Sequence, residues 1–140
     1  MAEATTATVP RRVAVLARPN VHDRPRPDVW SPLEYACHVR DVYRVFGERL
    51  TLMLEQDSPT FDSWDQDATA VADRYGEQEP AAVTAQLVSA GTAMATRFAE
   101  VAGTEWERAG VRSNGSRFTV LTLGQYFLHD VVHHLHDVDG

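Results

Sequence analysis

The sequence predicts an all-α protein, an up-and-down four-helix bundle with a long loop between its second and third helices. Two observations carry this fold class. Helix-start signals stand at Ser31-Pro32 and at Pro80, and apolar residues return every three or four positions across residues 31–56, 80–101 and 118–138. Internal repeats and low-complexity tracts are missing, and an all-β pattern has almost no support. A chain of 140 residues is the size of one domain with one core. Residues 1–140 are therefore read as a single domain.

Taken in order, residues 1–30 read as a short helix around Val13 to Ala17, followed by an extended Pro- and Arg-rich connector ending RPRPDVW. The second helix starts sharply. Ser31 suits the cap, Pro32 the first helical position, and Glu34 completes a Ser-x-x-Glu capping box. From Ser31 to about Gln56, Tyr35, His38, Val42, Val45, Phe46 and Met53 share one face, which places His38 on the side to be buried. Residues 57–78 are too long for a plain connection, and Phe61, Trp64 and Tyr75 among the carboxylates argue for a packed cover. Pro80 opens a third helix along Val83, Leu87, Ala90, Met94, Phe98 and Val101, which Gly103 ends. After a turn signal at Ser113-Asn114-Gly115-Ser116, the last segment, FTVLTLGQYFLHDVVHHLHDV, reads as helix from Phe118 onward.

Charge excludes one function class. Acidic residues number 20 against 13 basic ones, all Arg, for a net charge of -7, the wrong balance for a nucleic-acid binder. No stretch approaches the roughly 20 apolar residues of a membrane span, and the N-terminus lacks the order of a secretory signal. A lone cysteine, Cys37, cannot form an internal disulfide. A cytoplasmic location without membrane attachment is the expectation.

The histidines carry the chemistry. Four of the six, His129, His133, His134 and His136, fall near the C-terminus, with His22 and His38 elsewhere. His129 and His133 are four residues apart on a helix, a spacing that one metal ion can bridge. With His38 from the second helix, they make a predicted three-ligand site with open positions for water or thiol. On the helical wheel, Phe127, Leu128, Val131, Leu135 and Val138 form an apolar stripe. Thr122, Gln125, Tyr126, His129, His133 and His136 form a second stripe, read as the wall of a polar cavity. Asp130 and Asp137 lie between the two, as partners of the ligands or reaching water. His134 is assigned to packing, His136 to a place beside the ligands and His22 to solvent.

The segments WSPLEYACHVRDV, WDQDATAVADRYGEQEPAAV and FTVLTLGQYFLHDVVHHLHDV resemble the actinobacterial branch of the DinB-like superfamily, which includes the N-terminal domain of mycothiol-dependent maleylpyruvate isomerases. The resemblance covers about residues 28–138. It implies a four-helix bundle holding a divalent metal through one ligand from the second helix and an HxxxH-type pair from the last, matched here by His38 and by His129 with His133. It also implies chemistry with mycothiol or a related low-molecular-weight thiol. The N-terminal segment departs from the family, where a fuller first helix is usual. A homodimer covering the exposed apolar surface is the expected consequence.

The reading that follows is a metal-dependent thiol S-transferase or isomerase acting on a small electrophile, with zinc or nickel as the first choice of metal and iron or manganese next. Arg49, near the His38 face, and Arg74 with Tyr75 in the long loop are candidates for holding an anionic substrate; surface salt bridges or packing are their plain alternative. Tyr126 and Gln125 are candidate neighbours of the metal or substrate. Cys37 points away from His38 on the wheel and is not a nucleophile. Competing readings are a non-catalytic metal- or small-ligand-binding stress protein, and a histidine stripe serving as a dimer contact.

Overall fold

The computed structural model describes residues 2–137, the side chains of 133–137 excepted. In chain order the elements are α1 (Ala2–Leu16), α2 (Pro32–Glu55), β1 (Thr60–Phe61), α3 (Gln66–Ala72), α4 (Pro80–Glu100), β2 (Ala109–Arg112), β3 (Arg117–Thr119) and α5 (Val120–Asp137). The four long helices make the bundle. Helices α1 and α2 each pack against both α4 and α5, and touch one another only sparingly. Leu33, Val39, Leu50, Val83, Leu87, Leu123, Phe127 and Val131 are fully buried along the shared axis. Each such side chain contributes about 1.5–3 kcal/mol by leaving water. No helix among the described residues is long and apolar enough to cross a membrane.

Helix α2 starts where its sequence says it should. Ser31 Oγ accepts from the Glu34 N–H at 3.1 Å and Glu34 Oε1 accepts from the Ser31 N–H at 3.1 Å, so two otherwise orphaned donors are satisfied at once. Arg24 then clamps the same carboxylate, with Nε donating to Oε1 at 2.7 Å and Nη2 to Oε2 at 2.5 Å. The connector is thereby tied to the first turn of α2.

The first helix corrects the sequence reading. In place of a short helix near Val13, α1 runs for 15 residues with Pro10 inside it. Its buried face is Thr5, Thr8, Arg12, Val15 and Leu16, at helical spacing but polar over its first half, so apolar periodicity does not reveal it. Tertiary bonds replace the missing apolar contacts: Thr8 Oγ1 pairs with Tyr43 Oη at 2.7 Å and Arg12 Nη2 donates to the Val131 carbonyl at 2.9 Å. Pro10 is exposed, so its ring and missing N–H face solvent.

The small sheet is a second difference. Strand β2 pairs parallel to β1 and antiparallel to β3, in segments too short and half-buried to leave a period-two signal. Gly115, at φ +91°, turns the β2–β3 hairpin. Gly110 lets β2 lie on α2, since a Cβ there would meet Met53 Cγ and Phe61 Cε1 at 2.8 Å. Phe118 and Thr119 belong to β3, so α5 begins at Val120; likewise α4 stops at Glu100, short of Gly103. Residues 57–78 form the expected packed cover: Phe61 and Tyr75 are buried, and Asp65 caps α3 by accepting from the N–H groups of Asp67 and Ala68.

Candidate functional site

One stripe of α2 builds the floor of the site. His38, Val42, Phe46 and Arg49 follow each other at steps of four, four and three, and all four are buried. His38 has no exposed surface at all. Its ring is stacked on Trp64, with centroids 5.6 Å apart and planes 3° from parallel, and lies 5.3 Å from the ring of Trp30. Trp64 is held in turn by its own Nε1–H, which donates to Thr69 Oγ1 at 2.9 Å. Connector and cover thus fix the imidazole from two sides. From α5, Asp130 brings its Oδ2 to 3.7 Å from His38 Nε2. A small cavity of about 70 Å³ adjoins this pair, lined by Val42, Phe46, Arg49, Trp64, Gln66, Arg112, Tyr126 and Asp130.

The structure distributes the expected residues unevenly. His38 is buried as expected and His129 is exposed, while the adjacent Asp130 approaches His38. One residue along an α-helix is a rotation of about 100°, enough to exchange which of two neighbours faces the core. Within α5, Phe127 and Val131 are buried, so the inward face of the described part of the helix runs close to Asp130. The side chains of His133, His134 and His136 lie outside the described residues. Tyr126 lines the cavity with half its surface exposed and stacks on Phe46, while Gln125 is exposed. His22 is exposed, as expected.

Arg74 and Tyr75 do not join this cavity. Arg74 is exposed and forms an ion pair with Glu77 at 3.7 Å, the plain alternative for it. Tyr75 is buried and donates its hydroxyl to Asp41 Oδ2 at 2.5 Å. Asp41 also accepts from Arg40 Nε at 3.0 Å, and Arg40 Nη1 reaches Gln78 and Gln86 at 2.6 and 2.9 Å. Burial, together with the bond to Asp41, pushes the Tyr75 phenol far above its ordinary range. Cys37 lies against the same group, 3.8 Å from the Tyr75 carbonyl, and burial pushes its thiol up to about 12. At neutral pH it is an inert core thiol.

The chemistry and spacing of His38 and Asp130 suit a divalent metal. A separation of 3.7 Å between His38 Nε2 and Asp130 Oδ2 exceeds hydrogen-bond length. It lies inside the roughly 4.2 Å that two ligand bonds to one ion can span. Among the described residues no group of three or more His, Cys, Asp or Glu side chains converges, so His38 and Asp130 are a pair to which a further donor must be added.

A family model of the DinB superfamily matches residues 1–138. The chain belongs to the DinB superfamily. No curated protein matches it. Among solved structures, this DinB-superfamily chain is similar to YfiT from Bacillus subtilis, described as a probable metal-dependent hydrolase with an unusual four-helix bundle topology. The TM-score is 0.79 at 17% sequence identity, over 98% of this chain and 81% of that one. At that identity the likeness is one of fold, and it agrees with a bundle in which α1 and α2 both pack between α4 and α5.

Proposed function

We propose that this DinB-superfamily chain is a metal-dependent enzyme whose divalent ion is held by His38, Asp130 and His134. The observation that carries this reading is the approach of Asp130 Oδ2 to the fully buried His38 Nε2. His134 stands four residues after Asp130 in the sequence of α5, which gives the HxxxH-type spacing with a carboxylate in its first place. This set stands as an alternative to the expected trio of His38, His129 and His133. Two imidazoles and one carboxylate suit iron and manganese as well as zinc and nickel, a broader choice than three imidazoles allow.

When bound, such an ion supplies a deprotonated water or thiol near neutral pH. The protein's part is to keep that centre dry and fixed. Trp30 and Trp64 pack on the His38 ring and exclude water from it, and the Thr69 hydroxyl fixes the Trp64 indole. The nucleophile is read as a low-molecular-weight thiol of the mycothiol type, transferred to a small electrophile or returned from it in an isomerisation. A hydrolase reading, with water in the thiol's place, draws on the description of YfiT.

Elemental analysis after loading with zinc, nickel, manganese or ferrous iron tests the donor set. Wild type and His129→Ala are expected to retain one equivalent, and His38→Ala, Asp130→Ala and His134→Ala to lose it. Retention by Asp130→Ala together with loss by His129→Ala would overturn the proposed set. Assays of loaded protein with mycothiol and electrophiles, and separately with esters and amides, decide between thiol transfer and hydrolysis.

A further inference from the structure

The cavity beside His38 and Asp130 holds positive charge that its surroundings do not neutralise. Arg49 is only 7% exposed, yet among the described residues no carboxylate lies within ion-pair distance of its guanidinium. Its hydrogen bond goes to a neutral acceptor, the Asp62 carbonyl, at 2.9 Å. Its other neighbours are aromatic faces: the guanidinium carbon stands 4.8 Å from the Phe61 ring centre and 5.4 Å from that of Phe46. A second cation, Arg112, lines the same cavity. It too meets neutral partners, Asn114 Oδ1 at 3.3 Å, Ser116 Oγ at 3.4 Å and the Phe118 ring at 5.7 Å. After burial, the charge of Arg112 is the next cause lowering the Arg49 pKa, so the two guanidiniums are near enough to repel.

Burying one cation beside another without a counter-charge is costly, and a bound anion removes that cost. Planar guanidinium donors match a carboxylate in pairs. A volume of about 70 Å³ admits such a group, far short of the roughly 300 Å³ of a pocket that encloses a whole drug-sized ligand. Asp130 stands in the same wall but outside ion-pair distance of either arginine, leaving both guanidiniums available.

We propose that Arg49 and Arg112 form a carboxylate-binding subsite, so that the substrate of this centre is a small organic acid whose carboxylate is held in the cavity and whose reactive carbon lies toward His38 and Asp130. The substrate assignment rests on the metal-enzyme reading above; the anion subsite itself does not. The two are tested separately by titrating metal-free and metal-loaded protein with acetate, propionate and sulfate at constant ionic strength. The readout is the fluorescence of Trp64, isolated in a Trp30→Phe, Trp106→Phe background.

Saturable binding of the carboxylates to metal-free wild type is expected, weakened about tenfold in Arg49→Gln and clearly in Arg112→Gln, because a hydrogen bond to a charged group is lost. Arg44→Gln, remote from the cavity, is expected to bind as wild type does. Circular dichroism checks that Arg49→Gln folds, and Arg112→Gln, altered on a half-exposed strand, tests the subsite if it does not. No saturable binding, equal binding by both arginine variants and wild type, or binding of sulfate in preference to carboxylates would each overturn the proposal. Carboxylate binding that persists in a protein unable to hold metal would sink the metal reading and leave the subsite standing.

Discussion

Arg40 and Arg49 lie nine residues apart on α2, both buried, and their surroundings differ in one respect. Arg40 is neutralised by Asp41, at 3.0 and 3.2 Å, inside a network that takes in Tyr75, Gln78 and Gln86. Arg49 meets a carbonyl, two aromatic faces and a second arginine. A satisfied buried charge ties elements together, here the short 3-10 turn Tyr75–Glu77 to α2 and α4. A buried charge without a counter-charge, facing a cavity, is a place for something that arrives from outside.

Four experiments press on that difference. The largest effect is expected from Arg40→Met, which leaves buried Asp41 with only the Tyr75 hydroxyl and the half-exposed Arg44 at 3.6 Å, and should cost about 3 kcal/mol in urea unfolding. Arg49→Met removes no ion pair and should change stability by no more than about 1 kcal/mol. Equal losses in the two variants would erase the distinction. Next comes Tyr75→Phe, which deletes one donor to Asp41 and should cost about 1–3 kcal/mol by the same measurement while leaving carboxylate binding unchanged.

The third experiment concerns pH. The Arg24 hydrogen bond, chief among several causes, holds the Glu34 carboxyl below its ordinary 4.5. A depressed folded pKa means stability that is present above the ordinary value and lost as pH falls through the folded one. Unfolding midpoints followed from pH 6 downward should therefore decline at acid pH, and Glu34→Gln should flatten that decline. The smallest effect belongs to Cys37. With its thiol pushed up to about 12, it should resist a thiol reagent at pH 8 and react with one equivalent only after unfolding.

Much of the scaffold could be read directly. The capping box at Ser31 and Glu34, Pro80 at the head of α4 and the buried stripe from His38 through Phe46 are local signals, and the structure keeps them where local chemistry puts them. The first helix was hidden for an equally physical reason: its core face is Thr5, Thr8 and Arg12, made acceptable only by Tyr43 and the Val131 carbonyl from other helices. The short sheet was hidden because strands of two to four residues leave no period to read.

At the candidate site, the burial of His38 was legible and the approach of Asp130 to it was not. Residues 129 and 130 differ by one helical step, and the wheel alone gives no fixed zero for its rotation. Packing of Phe127 and Val131 supplies that zero and turns Asp130 inward. Arg112 carried no signal, since it reaches the cavity only through strand pairing between β1 and β2. By itself the sequence determined the three long helices after residue 30, the acidic balance and the histidine that would be buried, because each depends on neighbours in the chain. Which carboxylate meets that histidine, and which two arginines share its cavity, was decided by tertiary structure, because a counter-charge or its lack is set by side chains far apart in sequence.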